Sequence, residues 1–195
     1  WYMDEKDANK NPTGRRVTTN DYSSADYYYV NKSSLPKVYG GFNTSLSWKG
    51  FDLSAIFAYS IGGYIYNRDI TMILHNGSLE GRDWSTEILK RWTPDNRYTD
   101  VPALSTTSNN WNSASTRFLQ NNSYMRLKNL TLSYNLPKQW ISKLSLSSVQ
   151  VYVQGDNLFT IHRNQGLDPE QGITGITYYR YPAMRTISGG INVSF

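Results

Sequence analysis

A chain of 195 residues with 18% charged side chains, 16 tyrosines, no cysteine and a mean hydropathy of -0.58 has the size of one domain with a sizeable core. Few helix formers, against a large share of Ser, Thr and Asn, exclude coiled coils and most helical bundles; the lack of cysteine excludes disulfide scaffolds and cysteine zinc sites. No apolar run reaches the roughly 18–20 residues of a transmembrane helix, which leaves strand-built membrane proteins open, and the net charge of +5 is spread along the chain, which points away from nucleic acid.

In chain order, residues 1–37 are polar and read as a loop. A hairpin follows over 38–66. Its first strand, Phe42–Trp48, puts Phe42, Thr44, Leu46 and Trp48 on one face and Asn43, Ser45 and Ser47 on the other. Lys49-Gly50 permits a tight turn into Phe51–Ile61, where Phe51, Leu53, Ala55, Phe57, Tyr59 and Ile61 oppose Asp52, Ser54 and Ser60, with Ile56 and Ala58 blurring the alternation. Residues 67–122 form a long excursion with one expected helix over 78–92. There Ser78 would cap, Glu80 would sit in the first turn, Ile88, Leu89 and Trp92 would line one side, and Pro94 follows the end. Two strands occupy 123–157. Leu130, Leu132, Tyr134 and Leu136 oppose Asn129, Thr131, Ser133 and Asn135; after the short connection Pro137–Ser145, Val149, Val151 and Val153 oppose Gln150, Tyr152 and Gln154. A second long loop, 158–184, leads to the last strand, 185–195. Ile187, Ile191, Val193 and Phe195 there oppose Ser188, Asn192 and Ser194, and Gly189-Gly190 eases curvature or close packing.

Charge is informative by its location. The segments Phe42–Trp48, Phe51–Ile61, Asn129–Leu136, Leu146–Gly155 and Thr186–Phe195 hold one charged residue, Asp52, where the chain average of 18% would place about eight. Alternation of this kind fits a soluble β-sandwich, such as a carbohydrate-binding module, or the wall of a membrane barrel. A sandwich usually carries Lys, Glu and Arg on its wet face. An uncharged face of Ser, Thr, Asn and Gln suits a large barrel's lumen, with the apolar face toward lipid.

Short and long connections also alternate, as periplasmic turns and extracellular loops do in outer-membrane barrels. A chain ending at the periplasm then puts Lys49-Gly50 and Pro137–Ser145 inside, and 1–37, 62–128 and 156–185 outside. Trp48, Phe51, Tyr134, Trp140 and Phe195 fall at the periplasmic rim, where aromatic girdles sit. On this reading Leu46, Phe57, Leu132, Val151 and Ile191 face lipid, with Val151 near the midplane, and Ser45, Thr131, Gln150 and Asn192 face the lumen. Detergent dependence separates the barrel from the module.

Catalysis finds no support. His75 and His162 lack metal-ligand spacing, and Asp95-Asn96 with Asp100 lacks the Gly and distal Glu of a calcium loop. No serine sits in a nucleophile elbow, and no Gly-rich phosphate loop occurs. No enzyme activity, metal or cofactor is expected. Trp84, Trp92, Trp111, Tyr178 and Tyr179 lie in the long loops, available to stack on sugar rings or to pack within the loops or against a partner.

Several stretches resemble the C-terminal barrel of the SusC/RagA family of TonB-dependent outer-membrane transporters. These are Tyr27-Tyr28-Tyr29 with Leu35-Pro36-Lys37-Val38-Tyr39-Gly40-Gly41-Phe42; Trp48-Lys49-Gly50-Phe51-Asp52-Leu53; Arg91-Trp92-Thr93-Pro94-Asp95-Asn96; and Ser123-Tyr124-Met125-Arg126-Leu127-Lys128-Asn129-Leu130-Thr131-Leu132-Ser133-Tyr134. Asn157-Leu158-Phe159-Thr160, Gly166-Leu167-Asp168-Pro169-Glu170 and Tyr181-Pro182 through Phe195 continue the likeness. The resemblance implies a barrel of about 22 strands around a plug, importing glycans or peptides under TonB control beneath a SusD-like lipoprotein lid. It implies as partners the lid, TonB through an N-terminal part, the remaining barrel strands and lipid, with no nucleic acid. It also makes Phe195, with Val193 and Ile191, a signal for barrel assembly. Trp84, Trp92, Trp111, Tyr178 and Tyr179 become candidates for lid or substrate contact. The start at Trp1 without a signal peptide, the missing plug, and five strands that cannot close such a barrel predict a piece of a larger protein.

Overall fold

The computed structural model describes all residues except 78, 80, 106, 108, 109, 143, 144 and 171. The chain divides into two compact units. One comprises Ser33–Ile65, Gln120–Gly175 and Tyr179–Phe195, and the other Trp1–Lys32, Tyr66–Leu119 and Ile176–Tyr178. In chain order the strands are β1 Tyr2–Lys6, β2 Pro12–Thr18, β3 Val38–Trp48, β4 Phe51–Ile61, β5 Tyr64–Asn67, β6 Leu119–Asn121, β7 Tyr124–Asn135, β8 Ser148–His162, β9 Ile176–Thr177 and β10 Thr186–Ser194. Helices α1 and α2 cover Arg68–Ile73 and Lys138–Ile141. None of the described helices is long and apolar enough to cross a membrane, which leaves strands free to do so.

The first unit is built on one five-stranded antiparallel sheet of order β10-β8-β7-β4-β3. Its strands neighbour one another in the order in which they leave the sequence. The β3–β4 turn is Lys49-Gly50 with φ of 48° and 89°; two positive φ values in a two-residue loop match the twist of the strands it joins. This turn fixes Trp48 opposite Phe51, and so the register of the hairpin. The hairpin ends at Ile61, short of the expected residue 66. Gly62, at φ 95°, turns the chain away, and its N–H is taken by Ser123 Oγ at 2.9 Å.

One irregularity runs across the sheet. Leu127 pairs with Phe57 and Phe159, whereas Asn129 pairs with Ile56 and Asp156; Lys128 on β7 and Asn157-Leu158 on β8 are extra residues. Asn157 takes φ 52° to make the bulge. Leu158 then lies against Gly155, where a Cβ would meet its Cδ2 at 2.6 Å. Gly190 serves close packing in the same way. It pairs with Tyr152, whose ring covers it, and a Cβ there would lie 2.6 Å from the Tyr152 hydroxyl.

The second unit holds the β1–β2 hairpin, in a stretch that reads as loop from sequence. The Asp7 carboxylate accepts the N–H groups of Asn9 and Asn11, both at 2.9 Å, and Lys10 takes φ 65°; this local turn is what pairs the two strands. The helix expected over 78–92 is corrected. Ser78 and Glu80 lie outside the described residues. Among the others only Thr86–Lys90 is helical, as a 3-10 turn whose cap is Ser85, accepting from the Glu87 N–H. Gly81 at φ 69° is incompatible with a helix through that point. The unit's α-helix is α1, upstream, where the Asn67 side chain accepts from the Ile70 N–H at 3.1 Å. Ile88, Val101 and Phe118 are its buried apolar residues. Asn67, Thr71, His75 and Thr177 are buried there as well, and the Thr71 hydroxyl donates to the Arg68 carbonyl at 2.6 Å.

Candidate functional site

The sheet presents two chemically distinct faces. On one, the register aligns Trp48, Phe51, Tyr134, Val151 and Ile191 in a row. The next rows are Leu46, Leu53, Leu132, Val153 and Gly189, then Thr44, Ala55, Leu130, Gly155 and Ile187, then Phe42, Phe57, Leu127 and Phe159. Rings close both ends: Phe51 and Tyr134 stand 4.5 Å apart and Phe42 and Phe57 4.7 Å. Most of this face is open, with Leu46, Leu53, Leu132, Val151, Val153 and Ile191 all exposed. So broad an uncovered apolar surface marks an interaction with something apolar. From Phe51 to Ile61 the strand rises about 34 Å along its axis. At the about 40° tilt of membrane barrels this is about 26 Å, the height of a barrel's apolar band. Val151 shares the Trp48–Phe51–Tyr134 ring row, so its expected midplane position is corrected: the row through Ala55 and Leu130 lies nearer the middle.

On the opposite face, short polar side chains bond across the strands. Ser47 donates to Asp52 at 2.5 Å, and Asn135 to Asp52 at 2.7 Å. Asn129 donates to Asp156 at 2.8 Å, Thr131 to Asn129 at 2.9 Å, Gln150 to Ser133 at 3.3 Å and Asn192 to Gln150 at 3.2 Å. Asp52 and Asp156 are thus held by hydroxyl and amide donors.

At the end of this polar face sits a cluster that sequence reasoning left unpaired. Arg126 lies between Ala58 and Thr160 in the register, with its side chain 4% exposed. It donates to Thr160 Oγ1 at 2.9 Å, to Glu170 at 2.8 Å and to Asp168 at 2.5 Å, and Lys128 closes on Glu170 at 2.6 Å. Burial by itself pushes the Asp168 carboxyl pKa up. The N–H groups of Ala183 and Glu170, followed by Arg126, more than offset that and hold the carboxyl below its ordinary range. The signal was available: two basic residues in the Arg126-Leu127-Lys128 stretch and two acidic ones in Asp168-Pro169-Glu170, each pair rare within its surroundings.

The five loop aromatics do not form one platform. Trp84 sits at a cleft of about 620 Å³ lined by His75, Asn76, Leu79, Arg82 and Leu104. Its indole N–H donates to His75 Nδ1 at 3.0 Å, and the Gly77 and Leu79 N–H groups point at the same nitrogen. Trp111 is committed to packing: its indole N–H donates to the Leu74 carbonyl, Arg117 lies 3.6 Å over its ring, and Phe118 meets it edge-on. Arg68 covers Tyr178 at 4.7 Å. Trp92 and Tyr179 are exposed. Trp92 is held through its backbone N–H to Val101 O at 2.8 Å, within a turn where Asn96 donates to the Lys90 and Arg91 carbonyls. Asn96 therefore organises the Arg91–Asn96 stretch from within. Ile191 and Val193 pair with Val151 and Val149, and Phe195 follows at the Trp48 end of the sheet, 92% exposed.

No protein-family model matches the chain. Among curated proteins it is 34% identical over 166 residues to TonB-dependent receptor P3 of Formosa agariphila, a match covering 80% of this chain and 16% of the relative. It is 27% identical over 168 residues to the TonB-dependent receptor SusC of Bacteroides thetaiotaomicron, covering 86% and 16%. A solved structure of the RagAB peptide importer in its open-open state superimposes with a TM-score of 0.81 at 34% identity, over 100% of this chain and 20% of that one. The chain thus spans less than a fifth of the curated relatives it matches.

Proposed function

Because the chain belongs to the SusC/RagA family of TonB-dependent outer-membrane receptors, we propose that it forms part of the wall and outer loops of a nutrient importer that takes up glycans or peptides. The observation that carries the reading is the pair of faces on the five-stranded sheet. The open apolar face meets lipid, and the face of Ser, Thr, Asn and Gln, with Asp52 and Asp156 held among them, lines a wet lumen. A β-sandwich module would need a second sheet over the apolar face; among the described residues this sheet's apolar face is exposed instead. The remaining strands of the barrel pair with the outer edges of β3 and β10, which would otherwise present unpaired backbone groups within lipid.

Import in this reading needs two partners. TonB acts through a plug outside the residues described, and a SusD-like lipoprotein caps the outer loops. Residues 67–122 supply part of the lid surface, with exposed Leu89 and Trp92 beside the Thr86–Lys90 turn. Phe195, Val193 and Ile191 serve the assembly machinery as an apolar register mark on a strand whose edge is open until closure. The test uses the full-length receptor in its own cells. Deleting residues 78–94 should reduce co-purification of the lipoprotein and leave the amount of assembled barrel unchanged. Undiminished co-purification rejects the lid role, and unchanged nutrient uptake on removing TonB rejects the importer.

A further inference from the structure

The segment that follows β8 does not leave the sheet. Gln165 donates its N–H to Gln120 Oε1 at 3.0 Å, and Asn164 donates to Asn122 at 3.0 Å. Asn122 in turn donates to the Pro169 carbonyl at 2.8 Å. Arg126 and Lys128 then hold Asp168 and Glu170. Further along, Ser34 Oγ donates to the Ile173 carbonyl at 2.8 Å, and Gly175 packs on Ser34, just ahead of β3. The path runs from the end of β8, by way of Arg126 and Lys128 on β7, to Ser34 ahead of β3. Three strand spacings make that about 14 Å. It crosses on the polar side, because Arg126 shares the ladder row of Ala58 and Thr160, and the adjacent row of Phe57, Leu127 and Phe159 belongs to the apolar face.

We infer that residues 164–170 and 172–175 belong to a fixed strap across the lumen side of this wall, narrowing the outer mouth and limiting the size of what reaches the lumen, with Arg126 as its positioning residue. The inference rests on the reading of the sheet as a lumen wall. An unanchored loop of this length would sample the solvent. Here its middle is tied by a guanidinium that is itself 4% exposed, to a carboxylate that is 7% exposed. Ion pairs so placed are short, charge-assisted and shielded from salt. Removing the arginine leaves Asp168 buried without its cation, so the strap detaches. Arg126 touches no solute in this scheme and acts through the strap alone.

The test is size-graded labelling of a lumen cysteine in the full-length receptor on intact cells. This chain has no cysteine of its own. Thr131→Cys lies on the polar face one side of the Arg126 row, and Leu132→Cys lies on the apolar face as a control. A small impermeant maleimide should label Thr131→Cys; a maleimide carrying a long polyethylene glycol chain should label it poorly. Adding Arg126→Met should raise the large-to-small labelling ratio about tenfold, and Arg126→Lys should give a smaller rise. Replacing residues 164–175 with a short Gly-Ser linker should give the full rise, and that variant decides the matter if Arg126→Met fails to assemble. An unchanged ratio in an assembled barrel lacking the strap overturns the inference. Failure of the small reagent to distinguish Thr131→Cys from Leu132→Cys refutes the lumen wall itself.

Discussion

Replacing Leu130 with arginine tests the wall at its most sensitive depth. Leu130 shares a row with Ala55, four residue steps from the ring row of Phe51 and Tyr134. Four steps span about 14 Å along a strand. With a tilt of about 40° the row stands about 10 Å from the rings, close to the middle of an apolar band about 25 Å tall. An arginine facing lipid at that depth costs about 2–4 kcal/mol, and one near the interface about 0–1 kcal/mol. Leu130→Arg should therefore reduce the folding equilibrium about 30- to 900-fold. Val151→Arg, in the ring row, should reduce it by a factor of about 5 or less, and Thr131→Arg, next to Leu130 but on the polar face, should do little. The assay is denaturant titration of the full-length receptor in lipid vesicles, with folded and unfolded forms separated by their heat-modifiable mobility. Equal losses at Leu130 and Thr131 would refute the assignment of faces. A loss at Val151 as large as at Leu130 would refute the depth scale drawn from the ring rows.

Two further outcomes are expected. Phe195→Ala should lower membrane yield and leave unfolded precursor in the periplasm, while receptor already assembled melts almost as before; normal yield with a lowered melting point would leave Phe195 only a place in the ring girdle. The Asp168 carboxyl is held below its ordinary range in the folded protein, so its stabilising contribution is complete above the unfolded value of about 3.9 and is lost as pH falls through the lower folded value. Protease cleavage within 164–175 should rise only below about pH 4, and Asp168→Asn should show raised cleavage at neutral pH with a flat profile; an unchanged acid response in that variant would remove Asp168 from the account.

The strands were legible because one physical constraint, two unlike solvents on two faces, writes a period of two into the residues. Phe51 through Ile61 keep that period except at Ile56 and Ala58 and pair with Val38–Trp48 as an antiparallel hairpin, and Lys49-Gly50 announces its turn. Legibility fails where the chain departs from the period. Around Lys128 and Asn157-Leu158 the bulge shifts parity; β7, Tyr124–Asn135, keeps to the expected stretch, but β8 runs on to His162, past the expected end at 157. The excursion misled for a different reason. Ile88, Leu89 and Trp92 have helical spacing, yet Ser85 caps a single turn and Gly81 stands outside helical space. Asn67 caps the α-helix from a position that reads as the end of a strand. Arg126 and Asp168 were each visible, but their partnership crosses a loop, and a single sequence carries no periodic signal for such a pair.

Strand order that follows chain order has a consequence for how such receptors diversify. Between Ile61 and Tyr124 the chain wanders two to three times as far as between His162 and Thr186, yet both excursions return to the next position in the same ladder. Each doubling of a flexible loop adds only about 0.6 kcal/mol to its closure. Excursions can therefore grow, shrink or be exchanged between relatives at almost constant cost to the ladder. The turn at Lys49-Gly50 has no such freedom, since one inserted residue would move the paired rows to the wrong solvent. Change in length is thereby channelled to the end of the sheet from which the excursions leave, while the Lys49-Gly50 end keeps its spacing.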